Sequence, residues 1–548
     1  MQRFAETCEA VAATAKKTEK VRRVAGYLCS LPVEDAARAA IFFTGRAFPR
    51  CEERTLEVGG AQLWQTVAQL SGADEEAMAR VYRQHGDLGA MAAELLATHG
   101  PDPPPLRLAD VADAFEELSR ARGPSQKLPR LEALLRRAQP LEAKYILKII
   151  TTELRIGLRE NLVEEAVAVA YEAPLAAIRR AAMLSGDIGL TVHLTVEGKL
   201  DEAQLRLYHP IDFMLASPAE TPAEAMEYFP EEALVEDKYD GIRAQAHKRE
   251  QQVRLFSRTL DDITPQFPEF VPALAALPGN FVLDGEVLGW KQGRALPFNE
   301  LQKRLGRKQP DTALRAEVPV ALIAFDLLFR DGILLLDTPL ERRRRELAAL
   351  LASSPSEHLQ LAAAHPCRSA QELEQAFTQA LARGNEGVMA KAPGSLYVPG
   401  RRGKQWLKLK RPLATLDVVV TAVEYGHGKR RGWLSDYTFA VRDGERLLNI
   451  GKAYSGLTDA EIQRLTHTFK QHVLEDQGFR LLVAPQVVLE VAFNNLQRSR
   501  RHASGFALRF PRIVRLRPDK AIEQIDTLAR VQELFAQQAG RNQQEKVS

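Results

Sequence analysis

Only four cysteines occur in 548 residues (Cys8, Cys29, Cys51 and Cys367), and no two of them form a C-x-x-C pair. That spacing excludes a disulfide framework and a zinc knuckle and fits a reducing compartment. No apolar run approaches the length that spans a bilayer, and the opening MQRFAETCEAVAATAKK is amphipathic where a signal peptide would be apolar. The expectation is a soluble protein of the cytoplasm that meets no membrane. Charge of one sign is missing as well, since 74 Lys and Arg nearly balance 71 Asp and Glu. No internal repeat is visible. What remains is ordinary globular composition, 45% hydrophobic and 26% charged, in a chain too long for one core, so two to four domains are expected.

The informative charge is local. Arg401 to Leu416 holds six Lys or Arg and no acid, and Arg498 to Pro518 holds seven Arg and no acid. Neither stretch forms an amphipathic helix with a broad apolar face, so a polyanion suits them better than a membrane surface.

Pattern divides the chain into three styles. Residues 1–205 read as helices, with Ile146, Ile149, Ile150 and Leu154 at helical spacing. ELRIGLRENLVEEAV reads as a helical hairpin, with Gly157 ending one helix and Asn161 with Glu164 capping the next. The prolines of PDPPPLRL (101–108) are expected to join two helical subdomains. Residues 206–412 alternate short β-type runs with turns. Residues 413–530 alternate around Gly and Asp-Gly turns, as a small antiparallel barrel does. The tail, 531–548, is expected to be disordered or frayed.

Three runs in the middle segment put charge where a buried strand would put Leu or Val. In LVEDK, Leu234, Glu236 and Lys238 point to one face of an extended chain. In FVLDGEVL, Asp284 and Glu286 share a face, and in WLKLK, Trp406, Lys408 and Lys410 do. A half-solvated edge explains any one of them by the usual polar-out alternation. Three strands carrying both acids and bases fit a lined phosphate pocket better, because an unpaired buried charge is costly.

The motifs run in a recognisable order: KYDGIR (238–243), FSRT (256–259), LDGEV (283–287), FDLLF (325–329), EGVMAK (386–391), RRGKQWLKLK (401–410) and RFPRIVRLRPDK (509–520). This series resembles the ATP-dependent DNA ligases of the covalent nucleotidyltransferase superfamily. The helical front with RIGLRENLVEEA resembles the DNA-binding domain of replicative-type ligases, bacterial or archaeal. The resemblance covers nearly the whole chain. It implies an all-α DNA-binding domain, an α/β adenylation domain and a C-terminal β-barrel of OB type.

It also implies roles. Lys238 is the nucleophile that takes AMP from ATP; Glu236 accepts from the adenine amino group, Phe325 stacks on the purine and Glu286 holds the ribose. Arg243, Arg258, Arg402, Lys408 and Lys410 contact nucleotide phosphate, the choice of Arg402 over Arg401 resting on motif register. Glu286 and Glu386 contact Mg²⁺ (or Mn²⁺), and Arg509 and Arg512 orient pyrophosphate. A free lysine is a poor nucleophile at neutral pH. Lys408 and Lys410 would disfavour its ammonium form, opposed by Glu236, Asp240 and Glu286. The expected partner is nicked duplex DNA, held by a monomer through Arg155, Arg159, Lys429 and Arg430. An RNA ligase or capping guanylyltransferase shares the lysyl-nucleotide chemistry, but the tyrosine of KYDG, the helical front and the full RFPRIVRLRPDK argue against both. An NAD-dependent ligase would be expected to carry a four-cysteine zinc module. A catalytically dead DNA-binding scaffold is opposed by the intact Lys238, Glu286, Glu386 and Lys408.

Overall fold

The computed structural model describes residues 1–52, 54–97, 104–305, 307, 309–410, 414–426 and 430–547, with side chains to residue 537. From Gln2 to Val196 the described chain is helical and closes around one core that includes Phe4, Phe42, Phe43, Phe115 and Ile146. Local sequence explains the helix ends. Asp74, Asp87 and Asp187 each accept a hydrogen bond from the backbone N–H three residues on, which caps their helices. The helix Pro140–Ile150 starts on proline, where the missing N–H costs nothing, and buries Ala143, Ile146, Leu147 and Ile150.

The expected hairpin in this region needs correction. The first helix stops at Ile150, residues 153–159 cross as a loop, and the next helix is Glu160–Ala170 with Arg159 at its cap. Gly157 is left-handed (φ 64°), yet it sits within that loop, where a Cβ would lie 2.8 Å from Lys20 Nζ. Lys20 donates to the Ile156 carbonyl, so tertiary contact shapes the loop. Asn161 and Glu164 lie inside the second helix, and Glu164 turns to Arg179 at 3.5 Å instead of back to the cap. Of the proline segment, residues 101–103 fall outside the described residues; the following helix begins at Leu108.

Two sheets follow. One has the order β1–β12–β11–β2–β10, with β1 Leu215–Pro218, β2 Ala233–Lys238, β10 Ala364–Cys367, β11 Gly387–Lys391 and β12 Arg402–Lys410. The other is built on β4–β3–β5–β7–β8, with β3 Ile242–Arg249, β4 Gln252–Ser257, β5 Phe281–Lys291, β7 Val320–Arg330 and β8 Ile333–Leu334. Short strands β6 (Arg294–Ala295) and β9 (Leu359–Leu361) pair with β5 and β7. The expected alternation holds. Val235, Leu407 and Leu409 pack into an apolar layer on one side of the first sheet, while Glu236, Lys238 and Lys408 point to the other.

The C-terminal part is a half-barrel of OB-like form. Its long strand β13 (Ala414–Tyr425) pairs with β14 (Leu434–Asp443), β17 (Arg480–Val483) and β18 (Val488–Phe493). Strands β15 (Arg446–Ala453), β16 (Val473–Asp476) and β21 (Arg512–Leu516) extend the sheet, and β19 (Asn495–Arg498) pairs with β20 (Phe506–Arg509) beside it. The tail is helical, Leu528–Val547, against the expectation of disorder. Its first turns supply the reason: Val531 is fully buried in the barrel core, and the Phe535 ring packs edge-on to Phe506 at 5.2 Å.

Candidate active site

The two sheets face each other across a cavity of about 380 Å³. Its walls bring Glu236 and Lys238 from β2 together with Arg243 from β3, Arg258 after β4, Glu286 from β5, Phe325 from β7, and Arg402 and Lys408 from β12. The turn that joins β2 to β3 needs glycine. A Cβ on Gly241 would stand 2.5 Å from the Val287 carbonyl oxygen and 2.8 Å from Glu286 Cγ, so this close approach is what lets KYDG press against β5.

Lys238 Nζ donates to Glu386 Oε2, and Glu386 reaches it because its own N–H bonds to the Lys238 carbonyl at 2.9 Å. Two further carboxyl groups, Glu286 and Asp240, stand near this pair and act on Glu386 electrostatically. Burial pushes the Glu286 carboxyl up to about 8, with Asp284 and Glu386 adding to it and Arg243 and Lys238 opposing. Burial likewise pushes Asp240 up to about 6, with Glu386 reinforcing. On the opposite wall the excess is positive. The Lys408 ammonium is disfavoured first by burial and then by Arg402, Lys238, Lys410 and Arg258. Lys410 itself is exposed at the strand's end and does not line the cavity, and of the adjacent arginines only Arg402 does. The sequence expectation for Lys410 as a direct contact is therefore weakened by its place two residues beyond Lys408.

Arg243 is at the wall, but its fork is already engaged. It donates to both oxygens of the fully buried Asp284 at 3.1 and 2.7 Å and to the Met214 carbonyl at 2.7 Å. Tyr397 donates to the same Asp284 at 2.7 Å, so Asp284 ties the pocket floor together instead of facing its interior.

Glu236 is 3% exposed and has a cation on each oxygen: Arg344 on Oε1 and Lys391 on Oε2, the latter at 2.6 Å. Phe325 stands edge-on to Trp406, with ring centroids 6.4 Å apart. Sequence reasoning missed Lys391 and Arg344. For Lys391 the signal was present, because Val388 and Ala390 are core residues and strand alternation then turns Met389 and Lys391 inward. For Arg344 it was not. It lies in the run Arg342–Arg345 of the helix Leu340–Ala352, which reads as a solvated face, yet Arg343 is fully buried on Asp326 and the Arg344 side chain is 11% exposed. Among the described residues no three His, Cys, Asp or Glu gather as a ready metal cluster.

Comparison with known proteins decides what this pocket belongs to. Family models match in succession: DNA ligase N terminus over residues 1–168, ATP dependent DNA ligase domain over 213–410, and ATP dependent DNA ligase C terminal region over 430–520. A probable DNA ligase of Koribacter versatilis is 52% identical over 559 residues, covering 98% of this chain and 97% of its own length. The DNA ligase of Archaeoglobus fulgidus is 34% identical over 546 residues, with 97% and 98% covered. The chain belongs to the ATP-dependent DNA ligases. A solved structure named Pmar-Lig_PreS3 is 17% identical with a TM-score of 0.55 over 94% of this chain and 99% of that one, which shows a shared fold.

The ligase is thus an enzyme that uses ATP to join DNA ends, and its remaining expected contacts are spread over the molecule. Arg509 leaves the barrel and lies with its guanidinium 4.5 Å from the Phe298 ring centroid, near enough to Asp240 to lower that group's value. Arg512 is exposed and does not line the pocket. Arg155, at positive φ, pairs with Glu153 and donates to the Gly86 carbonyl at 3.2 Å; Arg159 is exposed at a helix cap. Arg430 is paired with Asp459 at 2.9 Å, and Lys429 lies outside the described residues. No helix among the described residues is long and apolar enough to cross a membrane.

Proposed function

We propose that Lys238 carries the adenylate, and the observation that supports it most is its place at the junction of the acidic and basic walls of one cavity. Lys238 Nζ attacks the α-phosphorus of ATP; the new N–P bond replaces the bond to pyrophosphate, which leaves. Glu386 is the carboxylate already hydrogen-bonded to the Lys238 ammonium, and Lys408 and Arg402 line the same cavity, where they meet the nucleotide phosphates. A 5′-phosphate oxygen at a nick then attacks the adenylate phosphorus, the N–P bond breaks and the amine is regenerated. Finally the 3′-oxygen attacks the 5′-phosphorus and AMP departs. In all three steps positioning and charge neutralisation do most of the catalysis.

Glu236 faces the adenine amino group, Phe325 offers its ring to the base, and Glu286 holds the ribose, with Arg258, Arg402 and Lys408 on the phosphates and Lys410 and Arg243 behind them. Glu286 and Glu386 lie close enough to act on each other beside Lys238, and two neighbouring carboxyl groups at the phosphate end of the cavity fit a divalent cation held by Glu286 and Glu386. Bound Mg²⁺ (or Mn²⁺) would neutralise charge on the nucleotide phosphates. Arg509 orients pyrophosphate from the barrel, with Arg512 reaching the site only after movement of the barrel. Nicked duplex DNA is the substrate in our reading, gripped through backbone phosphates by Arg155, Arg159, Lys429 and Arg430, by a monomeric cytoplasmic enzyme associated with the nucleoid. A chase tests this reading: enzyme pre-loaded from ATP and freed of nucleotide should seal close to one nick per labelled protein. Sealing that still requires fresh ATP would contradict it.

A further inference from the structure

One side chain of the adenine-facing corner has no part in the scheme above although three of the corner's groups converge on it. Lys391 is 1% exposed. Its ammonium lies 2.6 Å from Glu236 Oε2, 4.4 Å from the centroid of the Phe325 ring and 4.3 Å from that of Trp406. The register explains the convergence. Lys391 stands opposite Trp406 across β12, and two residues along from Met389, which stands opposite Glu236 across β2. Burial disfavours its charged form, and the Glu236 carboxylate opposes that effect. Arg344 completes the arrangement from the other side. It donates to Glu236 Oε1 and is itself fixed by the Ala362 carbonyl at 2.7 Å.

We propose that Lys391 and Arg344 are positioning residues for base selection: by pairing both oxygens of the buried Glu236 they hold its carboxylate in one orientation, as an acceptor aimed at the base, and this makes the pocket accept adenine and refuse guanine. The inference rests on the reading that Glu236 faces the base. An ionised carboxylate has about four lone-pair sites, so the two cations leave room to accept from one more donor. The exocyclic amino group of adenine is such a donor. Guanine presents a carbonyl oxygen at the equivalent position, and two acceptors repel. A carboxylate that loses one of these partners is free to turn away from the base, and the acceptor that repels the guanine oxygen turns with it. The same ammonium lies against the Phe325 and Trp406 rings, so the acceptor and the stacking platform share one anchor.

The test compares labelling of the full chain by α-labelled ATP and by α-labelled GTP, each with Mg²⁺, in the wild type and in Lys391→Met, Arg344→Gln, Arg344→Lys and Glu236→Gln. Sealing of pre-adenylated nicks and the melting temperature report folding. The wild type should label strongly with ATP and weakly with GTP. Lys391→Met should raise the GTP-to-ATP labelling ratio by roughly ten-fold or more, a part of the roughly 10⁴-fold by which a site built around a buried polar contact can discriminate. Arg344→Gln should raise it in the same direction, and Arg344→Lys, which keeps the charge, should restore most of the preference. If Lys391→Met fails to fold, the Arg344 pair carries the test. Equal loss with both nucleotides in Lys391→Met and Arg344→Gln, while Glu236→Gln does change the ratio, would overturn the inference and leave the base-facing reading intact. An unchanged ratio in Glu236→Gln would overturn that reading itself.

Discussion

The two acid-free basic stretches of this ligase look alike as sequence and differ as structure. Arg401 to Leu416 is mostly a sheet strand, so its period-2 alternation sends Trp406 and Lys408 into the nucleotide cavity and Leu407 and Leu409 into an apolar layer. Arg498 to Pro518 lies on a barrel edge, where Arg512 and Arg515 stay exposed and Arg509 approaches Phe298 of the preceding domain. Local charge excess alone therefore does not say where a charge points. Register against neighbouring strands shows which charge lines the cavity and which faces solvent.

The comparison can be broken most severely at the cavity. Lys238→Ala is expected to remove label transfer from α-labelled ATP altogether, a loss of at least about 10³-fold, because no second amine occupies its place. Filter binding should show nicked-DNA affinity within about two-fold of the wild type, since duplex binding draws on many phosphate contacts. Retained labelling with lost DNA binding would invert the assignment. Next in size is Lys408→Ala, which should slow self-adenylation by about 10²-fold in single-turnover assays, the usual cost of removing one well-placed charge from a transition state. A similar slowing by Lys410→Ala would blur the distinction between the lining residue and the exposed one.

On the barrel side, Arg509→Ala should reduce self-adenylation by about ten-fold while sparing sealing of pre-adenylated nicks, and Arg512→Ala alone should change self-adenylation little. Equal loss in both assays would count against a role confined to pyrophosphate. The smallest effect concerns the acid whose carboxyl burial raises. The Glu286 carboxyl lies near 8 in the folded chain and near 4.5 when unfolded, so the folded protein binds that proton more tightly. The stability this contributes is present below pH 4.5 and is lost as pH rises toward 8. Without divalent cation, the melting temperature should therefore fall more between pH 6 and 8.5 for the wild type than for Glu286→Gln, by about 2 °C. Added Mg²⁺ should shrink the difference; a larger difference in Mg²⁺ would argue against a cation at Glu286.

Much of this was legible beforehand where a local rule decides the answer. Alternation in LVEDK, FVLDGEVL and WLKLK put Lys238, Glu286 and Lys408 on polar faces, and the structure brings those faces together. The rule was silent where tertiary contact decides. Nothing in ERRRRE distinguishes Arg344, which reaches Glu236, from Arg342 and Arg345, which are exposed. Gly157 reads as a helix stop because glycine favours left-handed backbone, but its loop is held by a lysine more than a hundred residues away. The tail reads as disordered by composition, and three apolar residues, Val531, Leu534 and Phe535, nevertheless dock it on the barrel.

Peptide mapping after incubation with ATP and a divalent cation tests the central assignment most directly. Mass spectrometry should find one acid-labile, amine-linked adenylate on the peptide that contains Lys238 and none on peptides carrying Lys391, Lys408 or Lys410. An adenylate on any of those three lysines, or none anywhere in enzyme that still seals nicks, would contradict the account.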